Sequence, residues 1–132
     1  ASNNNRKGLE EVNLAVLVQK GTRQDPLFIR MAEAFEMACR NGALAQGRED
    51  CGAIKVGNKA DIVVYNTDVP HMLPLIEPVS NVLYSAQQSD VVLNMIDGQV
   101  VYRDGVFPFI DIEKVKNNVR RIAAEKLAQL ET

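Results

Sequence analysis

The order of local signals along these 132 residues predicts an α/β chain in which helices come first, strands follow, and one helix closes the polypeptide. Three observations carry that reading. Apolar residues recur at helical spacing over residues 7–45. Runs of β-branched residues bounded by turn chemistry fill the middle. Residues 111–132 return to helical spacing behind an aspartate.

Ser2-Asn3-Asn4-Asn5 reads as a shaped loop, because asparagine tolerates turn conformations and its amide bonds nearby backbone. Residues 7–20 follow as a helix, with Leu9, Val12 and Val16 in an apolar stripe broadened by Leu14, Leu17 and Val18, and with Gly21 as its stop. A second helix is predicted to be capped by Asp25 and to carry Pro26 at its first position. Phe28, Met31, Ala32, Phe35, Ala38 and Cys39 share its inner face. Asn41-Gly42 is expected to break it, leaving one short helical turn from Ala43 to Gly47.

From Gly52 the character changes. "AIKV" reads as strand-like, Gly57-Asn58-Lys59 as a turn, and "ADIVVYN" as a buried strand. Pro70, Pro74 and Pro78 make residues 67–80 an extended excursion. In "DVVLNMIDGQVVYRDG", Asp97-Gly98 between two apolar runs is the preferred chemistry of a two-residue hairpin. Asp111 then caps a closing helix with Val115, Val119, Ile122, Ala123, Leu127 and Leu130 on one side.

Composition narrows the function. An apolar fraction of 46% and a charged fraction of 24% are those of a soluble globular domain, and the length suits one. A net charge of −2 with scattered Lys and Arg leaves no footprint for nucleic acid or an anionic membrane. No apolar run reaches the length of a membrane span, and the first residues are too polar for a secretory signal. Cys39 and Cys51 belong to no motif, which suits a reducing cytoplasm.

Residue chemistry alone does not assemble an active site. A catalytic zinc usually takes three protein ligands, whereas this chain has one histidine, His71, in "DVPHMLPL"; it reads as a loop histidine that orders its neighbours. Asp61 is expected to cap its turn or pair with Lys59. Cys39, on an apolar helix face, reads as an inert core thiol, and Tyr84 and Tyr102 as half-buried sheet aromatics.

Four stretches in order carry a resemblance. "GAIKVGNKADIVVYN" resembles the Gly-x-Ile-x-x-Gly-x-x-Ala-Asp segment near the C-terminus of metal-dependent amidohydrolases. "PHMLPLIEPVSNVLYSAQQSDVVLNMIDGQVVYRDG" is similar to its continuation in the branch of cytosine, guanine and adenosine-analogue deaminases and chloro-s-triazine hydrolases. "ASNNN" with a helix ending "LAVLVQKG" resembles the stretch directly after the last barrel strand in that branch, and "MACRNGALAQG" resembles the helix before the β segment.

The resemblance implies the C-terminal helices of a (β/α)8 barrel plus half of a composite β-sandwich, closing with a C-terminal helix. Its implied units are residues 1–50, the last loop and helices of the barrel domain; 51–110, the C-terminal part of the sandwich; and 111–132, the closing helix. A barrel needs roughly 250 residues, so the chain is expected to be a C-terminal fragment. The parent would be a cytoplasmic enzyme, dependent on zinc or iron, that deaminates or dechlorinates a small nitrogen heterocycle.

The family's metal ligands lie upstream of these motifs, so no metal ligand and no catalytic residue is assigned in this chain, and the fragment is expected to be inactive alone. Ser2, Asn3 and Asn4 are the expected substrate-adjacent loop, because loops at the C-terminal face of a barrel line its active site. Open strand edges and uncovered helix stripes point to a homo-oligomer or to association with the missing N-terminal part. The alternative is a stand-alone, non-catalytic module for oligomerisation or binding.

Overall fold

The computed structural model describes residues 7–130. Helix α1 (Gly8–Arg23) runs straight through Gly21, because a single helical glycine costs only about 1 kcal/mol. It ends at Gln24, whose backbone is left-handed (φ 54°) and whose N–H donates to the Gly21 carbonyl.

Asp25-Pro26 does not start the next helix. The Asp25 carboxylate accepts the Leu27 N–H at 2.8 Å, closing a local turn instead. Helix α2 (Met31–Glu36) begins later, where the Arg30 N–H donates to the Glu33 carboxylate at 2.8 Å. Nor does Asn41-Gly42 break the segment. A π-helical turn (Met37–Asn41) carries α2 directly into α3 (Gly42–Ala45).

"AIKV" forms no strand. Ile54 and Val56 are 87% and 100% exposed, and among the described residues no strand pairs with them. Strand β1 (Ile62–Tyr65) lies where the β-branched run predicts it, but it is not the buried strand expected: Val63 and Val64 are 47% and 42% exposed. The proline-rich excursion holds a 3₁₀ turn (Pro70–Met72) and then helix α4 (Pro78–Ser85), with Pro78 at the first helical position, where its missing N–H costs nothing. Tyr84 is therefore an exposed helix residue and not a sheet aromatic.

A further 3₁₀ turn (Gln88–Asp90) leads into the hairpin of β2 (Val91–Ile96) and β3 (Gln99–Arg103). The sheet is antiparallel in the order β1-β2-β3, with Val63 opposite Asn94 and Asn94 opposite Tyr102. Asp97 (φ 50°) and Gly98 (φ 79°) both take the left-handed backbone that a tight hairpin demands. Tyr102 is half-buried and packs its ring on Phe107, with centroids 4.9 Å apart.

The core sits between helices. Val16 of α1, Met31 and Ala34 of α2 and Leu83 of α4 pack together, flanked by Leu9, Val12, Ile29 and Val79. Helix α5 (Ile112–Ala128) is capped as predicted: the Asp111 carboxylate accepts the Lys114 N–H at 2.9 Å. Asp111→Ala is expected to speed amide exchange at Lys114 about fivefold, the equivalent of a cap worth about 1 kcal/mol. Unchanged protection in hydrogen exchange would show that the cap is idle.

Candidate functional site

A cavity of about 960 Å³ opens at the N-terminal end of α1. Lys7, Gly8 and Leu9 form one wall, Phe35, Ala38 and Cys39 a second, and Tyr65, Leu83 and the 86–91 segment close the back. Lys7, the first described residue, lies on this wall. Ser2, Asn3 and Asn4, the loop residues singled out from the sequence, lie outside the described residues.

Two of the groups lining the cavity, Cys39 and Tyr65, are poor nucleophiles. Burial pushes the Cys39 thiol up, and burial followed by the nearby Cys39 pushes the Tyr65 phenol up. Each is therefore held in its neutral form, which agrees with reading Cys39 as an inert core thiol. Cys51, buried nearby in sequence, also has its thiol pushed up, first by burial and then by its contact with the Asp50 carboxylate at 3.4 Å.

His71 does not stand alone. Its Nε2 lies 2.7 Å from a carboxylate oxygen of Asp90, which is only 5% exposed. That same oxygen accepts the Gln87 N–H at 2.7 Å. The His71 hydrogen bond, then the Gln87 N–H, hold the Asp90 carboxyl below its usual range. The pair fastens the 3₁₀ turn at Pro70–Met72 to the entry of β2. Asn81 works beside it, donating its amide to the carbonyls of Met72 (2.8 Å) and Pro74 (3.2 Å).

Asp61 caps across the sheet rather than within its own turn: one carboxylate oxygen accepts the Asp97 N–H at 2.8 Å, and the other meets Arg48 at 3.5 Å. Lys59 pairs with Asp97 instead, at 3.1 Å. The Asp97 N–H is the main cause of the lowered Asp61 carboxyl.

A second long-range tie was invisible to pattern reading. The Arg40 guanidinium donates to the carbonyls of Glu49 and Cys51, each at 2.8 Å, joining the π turn to the segment that leads into the sheet. The only cue in the sequence is an arginine near the end of a helix, which is too common to single out. Asp90 did have a local signal, since it stands three residues after Gln87 and just before an apolar run.

Among the described residues, no three His, Cys, Asp or Glu side chains converge on a point that could hold a metal ion. Within the same residues no helix is long and apolar enough to cross a membrane.

Comparison with known proteins gives this geometry a setting. Residues 1–101 match the model of the amidohydrolase family. The 5-methylthioadenosine/S-adenosylhomocysteine deaminase of Acetivibrio thermocellus is 45% identical over 128 residues, which span 96% of this chain and 30% of that protein. The 5'-deoxyadenosine deaminase of Methanothermobacter thermautotrophicus is 39% identical over 125 residues, 95% of this chain and 29% of that protein. The chain thus spans less than a third of the length of these relatives.

Among solved structures, an adenosine deaminase from Xanthomonas campestris with bound zinc superposes with a TM-score of 0.90 at 26% identity, covering 95% of this chain and 29% of that one. An atrazine chlorohydrolase from Arthrobacter aurescens complexed with zinc superposes at 0.78, covering 86% and 25%; at 23% identity it speaks to the fold alone.

Proposed function

The chain belongs to the amidohydrolase family, and from that premise we propose that it is the C-terminal portion of an enzyme that removes an amino group hydrolytically from an adenosine-type nucleoside. The observation that carries this reading is the 45% identity to a named adenosine-analogue deaminase over 96% of the chain. Deamination is preferred to dechlorination because the chlorohydrolase likeness, at 23% identity, is one of fold.

On this reading residues 1–50 are the last loop and helices of the barrel domain, 51–110 the C-terminal part of a composite β-sandwich, and 111–132 the closing helix. Ser2, Asn3 and Asn4 flank the substrate pocket. The catalytic ion, zinc or iron, is expected to be held by residues of the complete enzyme upstream of this chain. What this chain contributes is support. The cavity beside Lys7 lies next in the chain to that loop, while the His71–Asp90 and Asp61–Asp97 bonds hold the segments behind it.

We infer a cytoplasmic enzyme, a reading supported by the free thiols of Cys39 and Cys51. A stand-alone module is disfavoured by exposed Leu27, Ile54, Val56 and Ile76, which a freely evolved domain would bury.

The test is ammonia release by the complete native polypeptide, loaded with zinc or iron, from adenosine, 5-methylthioadenosine, S-adenosylhomocysteine and 5'-deoxyadenosine. Turnover of at least one nucleoside is expected, with none from the 132-residue chain by itself. A complete polypeptide inert on the whole panel, or turnover by this chain alone, would overturn the reading.

A further inference from the structure

Asn41-Gly42 is the one Asn-Gly pair in the chain, and instead of breaking a helix it lies inside one. In an unfolded polypeptide this pair deamidates readily. The backbone nitrogen of the glycine attacks the asparagine side-chain carbonyl carbon and ammonia leaves. The five-membered imide that remains then takes up water to give aspartate or isoaspartate. Glycine offers its nitrogen with no Cβ in the way. At Asp97-Gly98 and Asp104-Gly105 the attacked group would be an anionic carboxylate, a far poorer electrophile.

The fold opposes ring closure at Asn41 in two ways. Its backbone is helical, at φ −68° and ψ −34°, which turns the Gly42 nitrogen along the helix axis and away from the Asn41 side chain. The Gly42 N–H also donates to the Met37 and Cys39 carbonyls, so the nucleophile is engaged. Both carbonyls belong to the π turn, a rare geometry that here is held from outside. Arg40 donates to the Glu49 and Cys51 carbonyls at 2.8 Å, and Gly52 packs so closely that a Cβ on it would stand 2.6 Å from the Cys39 carbonyl oxygen. Every one of these contacts is made within this chain.

We propose that Asn41 is a deamidation site kept latent by the π turn. The reaction waits on local opening of residues 37–42. Once made, it puts a carboxylate, or the extra backbone methylene of isoaspartate, beside Arg40 at the joint with residues 49–52. Water is the only co-reactant. The inference stands apart from the deaminase reading, because the reaction is the chain's own and needs no substrate.

Peptide mapping by mass spectrometry tests it, following residue 41 in the complete native polypeptide in mildly alkaline buffer beside a synthetic peptide of residues 37–45. Residue 41 is expected to react at least about thirtyfold more slowly in the protein, since only the open population reacts. Gly52→Ala, which crowds the π turn, should speed the reaction about fivefold or more. Arg40→Ala, compared with a peptide carrying the same change, should do likewise by releasing the turn from residues 49 and 51; should Gly52→Ala fail to fold, this variant decides. Gly98→Ala, left-handed alike but in the hairpin, should leave the rate unchanged. A protein rate equal to that of the peptide would overturn the proposal, as would protection that neither Gly52→Ala nor Arg40→Ala relaxes. Equal acceleration by Gly98→Ala would overturn it too, because the opening would then be global.

Discussion

Gly52→Ala is expected to lower the unfolding free energy by about 3 kcal/mol, the sum of left-handed strain and an overpacked contact. Gly52 has φ +76°, and a Cβ there would stand 2.6 Å from the Cys39 carbonyl oxygen and 2.9 Å from the Arg40 Cα. Both neighbours are backbone of the π turn, which cannot swing aside as a flexible side chain would. The same approach lets Arg40 reach the Glu49 and Cys51 carbonyls, so any retreat of the loop stretches those bonds too.

Gly98→Ala is the control. Gly98 shares the left-handed backbone (φ +79°), but a Cβ there meets nothing within 4 Å, so only strain of about 1 kcal/mol is expected. Urea unfolding of the complete polypeptide separates the two. Equal losses at Gly52 and Gly98 would mean that the close approach to the π turn carries no cost.

Asp90→Ala should be nearly as damaging, at about 2–3 kcal/mol, because it leaves the Gln87 N–H without its acceptor and His71 without its carboxylate. The loss has a pH signature. The folded Asp90 carboxyl is held below its ordinary value, so its stabilisation is complete above the unfolded carboxyl pKa of about 3.9 and fades as pH falls through the lower folded value. The gap between wild type and Asp90→Ala should therefore narrow below about pH 4. A cycle with His71→Ala should give coupling of about 1 kcal/mol or more. A gap that stays constant into acid, with no coupling, would show that the pair is incidental.

Legibility in the sequence followed the range of the interactions. The hairpin at Asp97-Gly98, strand β1 and the Asp111 cap each depend on a few adjacent residues, and each stands where the pattern placed it. The Asp25-Pro26 pair misled because a cap and an Asx turn use the same carboxylate on the same neighbouring amides; only packing chooses between them. Helix α4 hid among prolines, since Pro78 both interrupts a chain and opens a helix. "AIKV" has strand-forming residues but no partner among the described residues, and a strand is made by its pairing. At the site, His71 was visible as a residue, while its tie to Asp90 spans 19 positions and needed the fold to be seen.

By itself, then, the sequence determined what local physics can write: the alternation of periods, the turn and cap residues, and the ordered motifs that mark the family. Tertiary structure alone decided which carboxylate meets which partner. Asp61 reaches Asp97, Arg40 reaches Cys51 and His71 reaches Asp90 only because the helices bury Val16, Met31, Ala34 and Leu83 against one another and the sheet pairs around its hairpin. Contacts between residues far apart in the chain become favourable once that packing has met the entropy cost of closing the loops between them, and no short stretch of sequence carries that information.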